Sequence, residues 1–250
     1  MEKVAEEFGK SGVEVRTIGK DLFNENASKE VYDEVKSMGV TVDILINDAG
    51  QGMFGKFAEA DLEKNIDIIR LNIISLVSLT HYFLKDMIAR NDGKILQLGS
   101  EVSKAPMPMM AVYAATKAFV LSFAEAVINE LKDTNVSMTV LMPGATDTDF
   151  FDKAGMEHTK IYREGKMDSP IRVAQLGFHA LMNGERRIVG PAGKMNVAMA
   201  AVTSDDKLAE MQRKQMEPNE KQDGEVRKSP GHQPSLENKL KVEGEGALSK

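Results

Sequence analysis

Short runs of β-branched and aliphatic residues alternate along this chain with long stretches of helical period, and that alternation restricts the fold more than any single residue does. VEVRTI (13–18), VDILIN (42–47), GKILQLGS (93–100), VSMTVLMPG (136–144) and RRIVG (186–190) read as strands. Several are nearly continuous apolar runs, the pattern of parallel strands covered on both faces. Helical period occupies about 28–38, 61–89, 113–132 and 170–182. The last helix is punctuated, with Ser169 at the N-cap position, Pro170 in the first helical position and Gly184 just past the end. Strand and helix in alternation predict an open α/β sheet with right-handed crossovers.

The texture changes after about Ser204. From there to Lys250 the chain is rich in Glu, Lys, Pro and Gly and carries no Phe, Tyr or Trp. We expect residues 1–203 to form the α/β domain and 204–250 a charged, mostly disordered tail, with LAEMQRKQM (208–216) as a last helical turn or two. The net charge of −6 argues against a nucleic-acid partner. With no cysteine, thiolate catalysis, disulfides and cysteine-bound zinc are excluded. The four histidines are scattered (His81, His158, His179, His232), so no metal site is expected. No unbroken apolar run approaches the roughly 18–20 residues of a membrane span. The N-terminal MEKVAEEFGK is acidic where a signal peptide needs a basic and then an apolar region. The expectation is a cytoplasmic protein without a membrane partner.

One constellation carries chemistry. VYAATKA (112–118) places Tyr113 and Lys117 four apart, on one face of a helix, and Ser100 stands thirteen residues before the tyrosine at the end of GKILQLGS. A tyrosine can pass a proton to or from a carbonyl or alcohol oxygen, but its free pKa is about 10. Working as a base near neutral pH requires a change of roughly 4 kcal/mol. An exposed i,i+4 pair supplies only about 0.3–0.5 kcal/mol. The pair therefore makes sense as a base only inside a cleft, with the lysine partly buried and a further cation nearby. Ser100 would hydrogen-bond the substrate oxygen. A serine hydrolase built on Ser100 and Lys117 is disfavoured, because no GxSxG elbow is present.

With these motifs the first 200 residues resemble the short-chain dehydrogenases/reductases. The resemblance rests on Ser100…Tyr113-x-x-x-Lys117, on NDAG (47–50), on Asn72 within RLNIISLVSLT, on PGATDT (143–148) and on Asp21-Leu22 after the 13–18 run. It is nearest the general bacterial members called DltE-like. It implies a Rossmann-like doubly wound parallel sheet and an NAD(P)(H)-dependent oxidoreductase, moving hydride between nicotinamide and a carbonyl or secondary alcohol. By resemblance Tyr113 is the general acid/base, and Lys117 lowers its pKa and binds the nicotinamide ribose. Ser100 orients the carbonyl, and Asn72 holds a water in a proton relay. The backbone around Asn47, Ala49 and Gly50 packs by the adenosine ribose and Asp21 touches the adenine. Thr148 binds the carboxamide over a floor of Pro143 and Gly144.

The family's first two strands and its TGxxxGxG loop, which holds the pyrophosphate at a helix N-terminus, have no counterpart in this sequence. We expect Met1 to be an internal methionine of a longer chain. Without those strands, 42–47 would have an open edge unless 13–18 moves across to pair with it. The missing loop also raises a second reading, a non-catalytic remnant of the family acting in interaction or dimerisation. The carboxylate of Asp48 is a departure from the family's NNAG, since it accepts but cannot donate. Phe150, Phe151, Met156 and Tyr162 are expected to line an apolar substrate pocket opposite Met107, Pro108, Met109 and Met110. The resemblance further implies a homodimer or homotetramer formed through the 61–89 and 113–132 helices.

Overall fold

The computed structural model describes residues 2–218. Of the tail expected over 204–250, residues 219–250 lie outside the described residues. Helices α1 (Glu2–Gly9) and α2 (Ala27–Ser37) lead into β1 (Ile44–Asn47). A long helical stretch follows, made of α3 (Leu62–Ile69), a π-helical turn (Arg70–Ser75) and α4 (Leu76–Arg90). Next come β2 (Gly93–Leu98), a 3-10 turn (Glu101–Lys104), α5 (Ala111–Glu130) and β3 (Val136–Met142). The short helices α6 (Phe150–Ala154) and α7 (Lys160–Glu164) precede α8 (Pro170–Met182) and β4 (Arg187–Val189). A second 3-10 turn (Pro191–Gly193), α9 (Lys194–Ala200) and α10 (Asp205–Met216) complete the described chain.

The strands form one parallel sheet in the order β1-β2-β3-β4. It is the Rossmann-like arrangement expected, with helices on both faces. On one side α4 and α5 press Met87, Leu121 and Ala124 onto Ile95, Met138, Val140 and Met142. On the other, Val173 and Leu181 of α8 pack on Leu96 and Leu141. The apolar runs of β2 and β3 exist because both of their faces are covered. α8 begins as the sequence predicts, with Ser169 in extended N-cap geometry and Pro170 first, and Gly184 beyond its end has φ +68°. Asn91 closes α4 in the same left-handed region.

Two expectations fail. Residues 13–18 form no strand and pair with nothing in the sheet. An apolar run becomes a strand only when a neighbour's edge takes its backbone hydrogen bonds. Here α2 is fastened to α4 instead, by stacking of Tyr32 on Tyr82 and by hydrogen bonds from the Tyr32 hydroxyl to Asp86. The outer edge of β1 is consequently unpaired among the described residues, and Ile44 and Ile46 are 37% and 53% exposed. Secondly, the boundary expected at 203 falls before an integrated element: α10 packs on α7 and buries Leu208 and Met216. The charged composition describes its outer face only. The helical stretches Leu62–Arg90 and Ala111–Glu130, though interrupted by charged residues, are long and apolar enough, by length and composition, to cross a membrane, a test that core helices also pass. In this fold both lie against the sheet.

Asn47 ends β1 facing inward. Its Nδ2 donates to Gln97 Oε1 on β2 and to Thr80 Oγ1 on α4, each at 3.0 Å, and Gln97 Nε2 donates to Thr80 Oγ1 at 2.8 Å. This buried polar triad ties sheet to helix and sets where the chain leaves β1 for the cleft.

Candidate active site

Three loops leave the C-terminal ends of β1, β2 and β3 on one side of the sheet, the edge where open α/β folds bind ligands. They border a cleft of about 590 Å³. From β2 comes Ser100, in extended backbone at the start of the 3-10 turn, its hydroxyl accepting from Val102 N at 3.3 Å. From the first turns of α5 come Tyr113 and Lys117, one above the other. Ser100, Tyr113 and Lys117 all line the cleft, so the structure brings together the three side chains the spacing predicts.

Lys117 is 4% exposed and donates to Leu98 O at 2.7 Å. Burial pushes its ammonium down to about 8, and the negative charge of Asp48 works the other way. Burial pushes the Tyr113 phenol up to about 12; hydrogen bonding with Ser100 opposes the rise and the charge of Glu101 adds to it. The lysine was expected to make this phenol acidic. In the protein alone desolvation wins, because the ammonium is turned toward Leu98 and stands 5.9 Å from the ring centre.

Asn72 lies in the π-helical turn and is 1% exposed. Its Nδ2 donates to Gln51 O and Thr116 Oγ1, and its Oδ1 accepts from Gln51 N, all at 2.9 Å. Asn72 thereby clamps the loop after β1. Both amide hydrogens are engaged, leaving only a lone pair of Oδ1 for anything else. The clamp draws that loop close: a Cβ on Gly50 would stand 3.4 Å from Asn72 Oδ1 and from Lys117 Nζ.

Gly50, Pro143, Gly144 and Thr148 line the cleft as expected. Gly144 lies against the Pro191–Gly193 turn so closely that a Cβ there would be 2.5 Å from Gly193 N. Asp21 is not brought to the cleft, and the side chains of Asn47 and Ala49 do not line it. Asp21 caps its own turn by accepting from Phe23 N at 3.1 Å and is absent from the cleft lining. The side chain of Asn47 points to Thr80 and Gln97, and Ala49 is exposed outside the cleft. Of the expected apolar wall, Met107, Met110, Phe150, Phe151 and Met156 line the cleft. Tyr162 is buried one layer behind, while Pro108 and Met109 do not line it.

Two functional-site residues carried no sequence signal. Glu101, next to Ser100, is 8% exposed; burial raises its pKa, and its Oε2 accepts from Asn196 Nδ2 at 2.7 Å. Gly52 sits where a Cβ would be 2.7 Å from Met110 Cε and 2.9 Å from Phe150 Cζ. Both are recognisable only once the loops are assembled.

Known proteins place this geometry. Residues 1–158 match the family described as short chain dehydrogenase. The uncharacterized short-chain type dehydrogenase/reductase y4eK of Sinorhizobium fredii is 31% identical over 196 residues, covering 69% of this chain and 77% of that protein. The uncharacterized oxidoreductase YvrD of Bacillus subtilis is 30% identical over 149 residues, covering 60% of this chain and 56% of that protein, so the chain spans little more than half of that relative's length. A solved short-chain dehydrogenase from Sphingobium yanoikuyae, in complex with NADPH, superposes with a TM-score of 0.70 at 24% identity over 80% of this chain and 78% of that one. Matched over more than half its length and carrying its serine, tyrosine and lysine in one cleft, this chain belongs to the short chain dehydrogenase family.

Proposed function

We propose that this protein is a cytoplasmic NAD(P)(H)-dependent oxidoreductase that interconverts a ketone and a secondary alcohol of small or medium size with an apolar body. The observation that carries the reading is the convergence of Ser100, Tyr113 and Lys117 on one cleft walled by methionine and phenylalanine. A structural neighbour holds NADPH, which supports the cofactor class. The residues present fit the nicotinamide riboside end of such a cofactor. Lys117 offers an ammonium for ribose hydroxyls, Thr148 a hydroxyl for the carboxamide, and Gly50 lines the cleft beside Lys117. No glycine-rich phosphate loop occurs in the sequence before β1, and Asp21 stands outside the cleft, so these residues do not build the adenosine end.

When bound, the cofactor would supply the hydride and, in its oxidised form, a positive charge. The chain supplies the proton. At neutral pH Tyr113 keeps its proton, since burial holds the phenol at about 12, and it is therefore set as the acid for carbonyl reduction. Ser100 donates a second hydrogen bond to the same carbonyl oxygen and stabilises charge developing there. Lys117, with an ammonium at about 8, remains largely charged at neutral pH and stabilises the phenolate left after transfer. The apolar walls exclude water from the reacting oxygen.

The faces of α4 and α5 turned from the sheet expose Ile88 and Phe119, with Phe119 stacked on Phe123, and this supports a homodimer or homotetramer formed through them. Titrating NADH and NADPH while following nicotinamide fluorescence tests the reading. Saturable binding, with turnover of ketones that Tyr113→Phe abolishes and binding that it leaves intact, is the expected result. Turnover surviving in Tyr113→Phe would refute the assignment of the acid. Absence of binding up to millimolar cofactor would favour the non-catalytic remnant.

A further inference from the structure

Met216, the last residue of α10, is fully buried, in a segment rich in charged residues. It packs in one cluster with Met107, Met110, Phe151 and Met156, four of the side chains that wall the cleft. Met216 itself does not line the cleft; it belongs to the cluster that backs the wall. The segment around it is tied to the same wall through the backbone. Lys160 N donates to Glu217 O at 3.1 Å, Lys160 Nζ reaches Glu217 Oε2 at 3.2 Å, and Thr159 bridges Pro218 in antiparallel fashion. From the cleft outward a run of ring contacts leads to this point: Tyr113 to Phe150 at 5.1 Å, Phe150 to Phe151 at 5.9 Å, and Phe151 to Tyr162 at 5.4 Å. Tyr162 belongs to α7, the helix on which α10 rests.

We propose that Met216 is a positioning residue for substrate size, and that residues 205–218 are a strap holding the apolar wall of the cleft at its present depth. The proposal rests on the carbonyl-reduction reading for its substrate but on packing alone for its mechanism. Interiors are packed densely enough that a change of volume behind the wall is transmitted to the wall. The side chains in between are methionines and phenylalanines, of which the methionines re-pack easily. An ordinary exposed ion pair such as Lys160–Glu217 contributes little by itself. The buried methionine is the anchor, and the strap's other apolar anchor, Leu208, lies near the opposite end of α10.

Met216→Ala, Met216→Val and Met216→Leu in the full chain test this with two readouts. The first is kcat and KM over a graded series from small methyl ketones to bulky aryl ketones. Met216→Ala is expected to raise the kcat/KM ratio of bulky over small ketones about tenfold, the change lying in KM. Met216→Leu, which keeps the volume, should leave the ratio near wild type, and Met216→Val should shift it in the same direction by less. The second readout is amide exchange, measured without cofactor or substrate. Residues 150–164 are expected to exchange faster in the Ala and Val variants while β2 and β3 keep their protection. Equal losses across the whole ketone series would overturn the proposal. So would exchange unchanged at 150–164, or accelerated equally in β2 and β3. Should Met216→Ala fail to fold, Met216→Val carries both readouts. Because exchange needs no turnover, a protein that reduces no ketone but shows the local exchange change would sink the enzymatic reading and leave the strap standing.

Discussion

Lys117 Nζ donates to the carbonyl oxygen of Leu98 at 2.7 Å and stands 5.9 Å from the centre of the Tyr113 ring. The ammonium thus bridges α5 to the end of β2 instead of resting on the phenol. A unit charge about 6 Å away is worth roughly 3 kcal/mol at an effective dielectric of about 20. Bringing a phenol from about 12 to neutrality takes about 7 kcal/mol. Burial outweighs such a charge, so in the protein alone Tyr113 holds its proton near neutral pH.

The same buried ammonium sets a pH dependence. Its pKa is about 8 in the folded protein against an ordinary 10.5. A base lowered by folding binds fewer protons folded than unfolded between those values, so stability rises with pH across that window. Below it the buried charge costs about 3 kcal/mol. Lys117→Met removes that cost and leaves Leu98 O without its donor, a loss of about 1 kcal/mol. At neutral pH the variant is expected to melt higher than wild type, and thermal melts across pH should show the gap closing between about 8 and 10.5. A variant that melts lower at neutral pH contradicts this.

Thr80 Oγ1 accepts from both Asn47 Nδ2 and Gln97 Nε2 and donates to Leu76 O at 2.6 Å. Thr80→Val keeps the shape and leaves the fully buried Gln97 amide without that acceptor. A destabilisation of about 1–3 kcal/mol is expected in urea unfolding. Thr80→Ser, which keeps the oxygen, should recover most of it.

Two cleft glycines should respond differently to alanine. At Gly144 the new Cβ meets Gly193 N at 2.5 Å and Ala192 C at 2.9 Å, backbone atoms that cannot turn aside. Gly144→Ala is expected to cost about 1–3 kcal/mol or more and to lower the melting temperature plainly. At Gly52 the Cβ meets only the ends of the Met110 and Phe150 side chains. Gly52→Ala should stay within about 1 kcal/mol of wild type in stability and act instead on KM for bulky ketones. Equal melting temperatures for the two variants would refute the distinction.

Asn72 provides the last contrast. As a clamp on Gln51 it should, when changed to Ala, speed amide exchange at Gln51 and cost about 1–3 kcal/mol. Lost turnover with exchange at Gln51 unchanged would mean that Asn72 serves the proton path instead.

Much of the fold is legible locally. The runs at 42–47, 93–100, 136–144 and 186–190 all contain strands, and the capped 170–182 helix has those bounds. The 13–18 run carries the same local pattern and forms no strand, because pairing depends on which edge is available. Asp21 and Asn47 belong to motifs whose order along the chain is right, yet one closes its own turn and the other holds strand to helix. Their side-chain directions follow from neighbours that are distant in sequence. Glu101 and Met216 gave no local sign at all, being a carboxylate beside a serine and a methionine in a charged stretch.

By itself the sequence determined the alternation of strand and helix, the placing of Ser100 at a strand end, and the sharing of one helix face by Tyr113 and Lys117, since these depend only on backbone period. The tertiary structure decided that the three meet in a cleft, that α10 closes behind its wall, and that Tyr113 is pushed up to about 12 and not down. The physical reason is that desolvation depends on everything packed around a group, and that packing is a property of the folded chain as a whole.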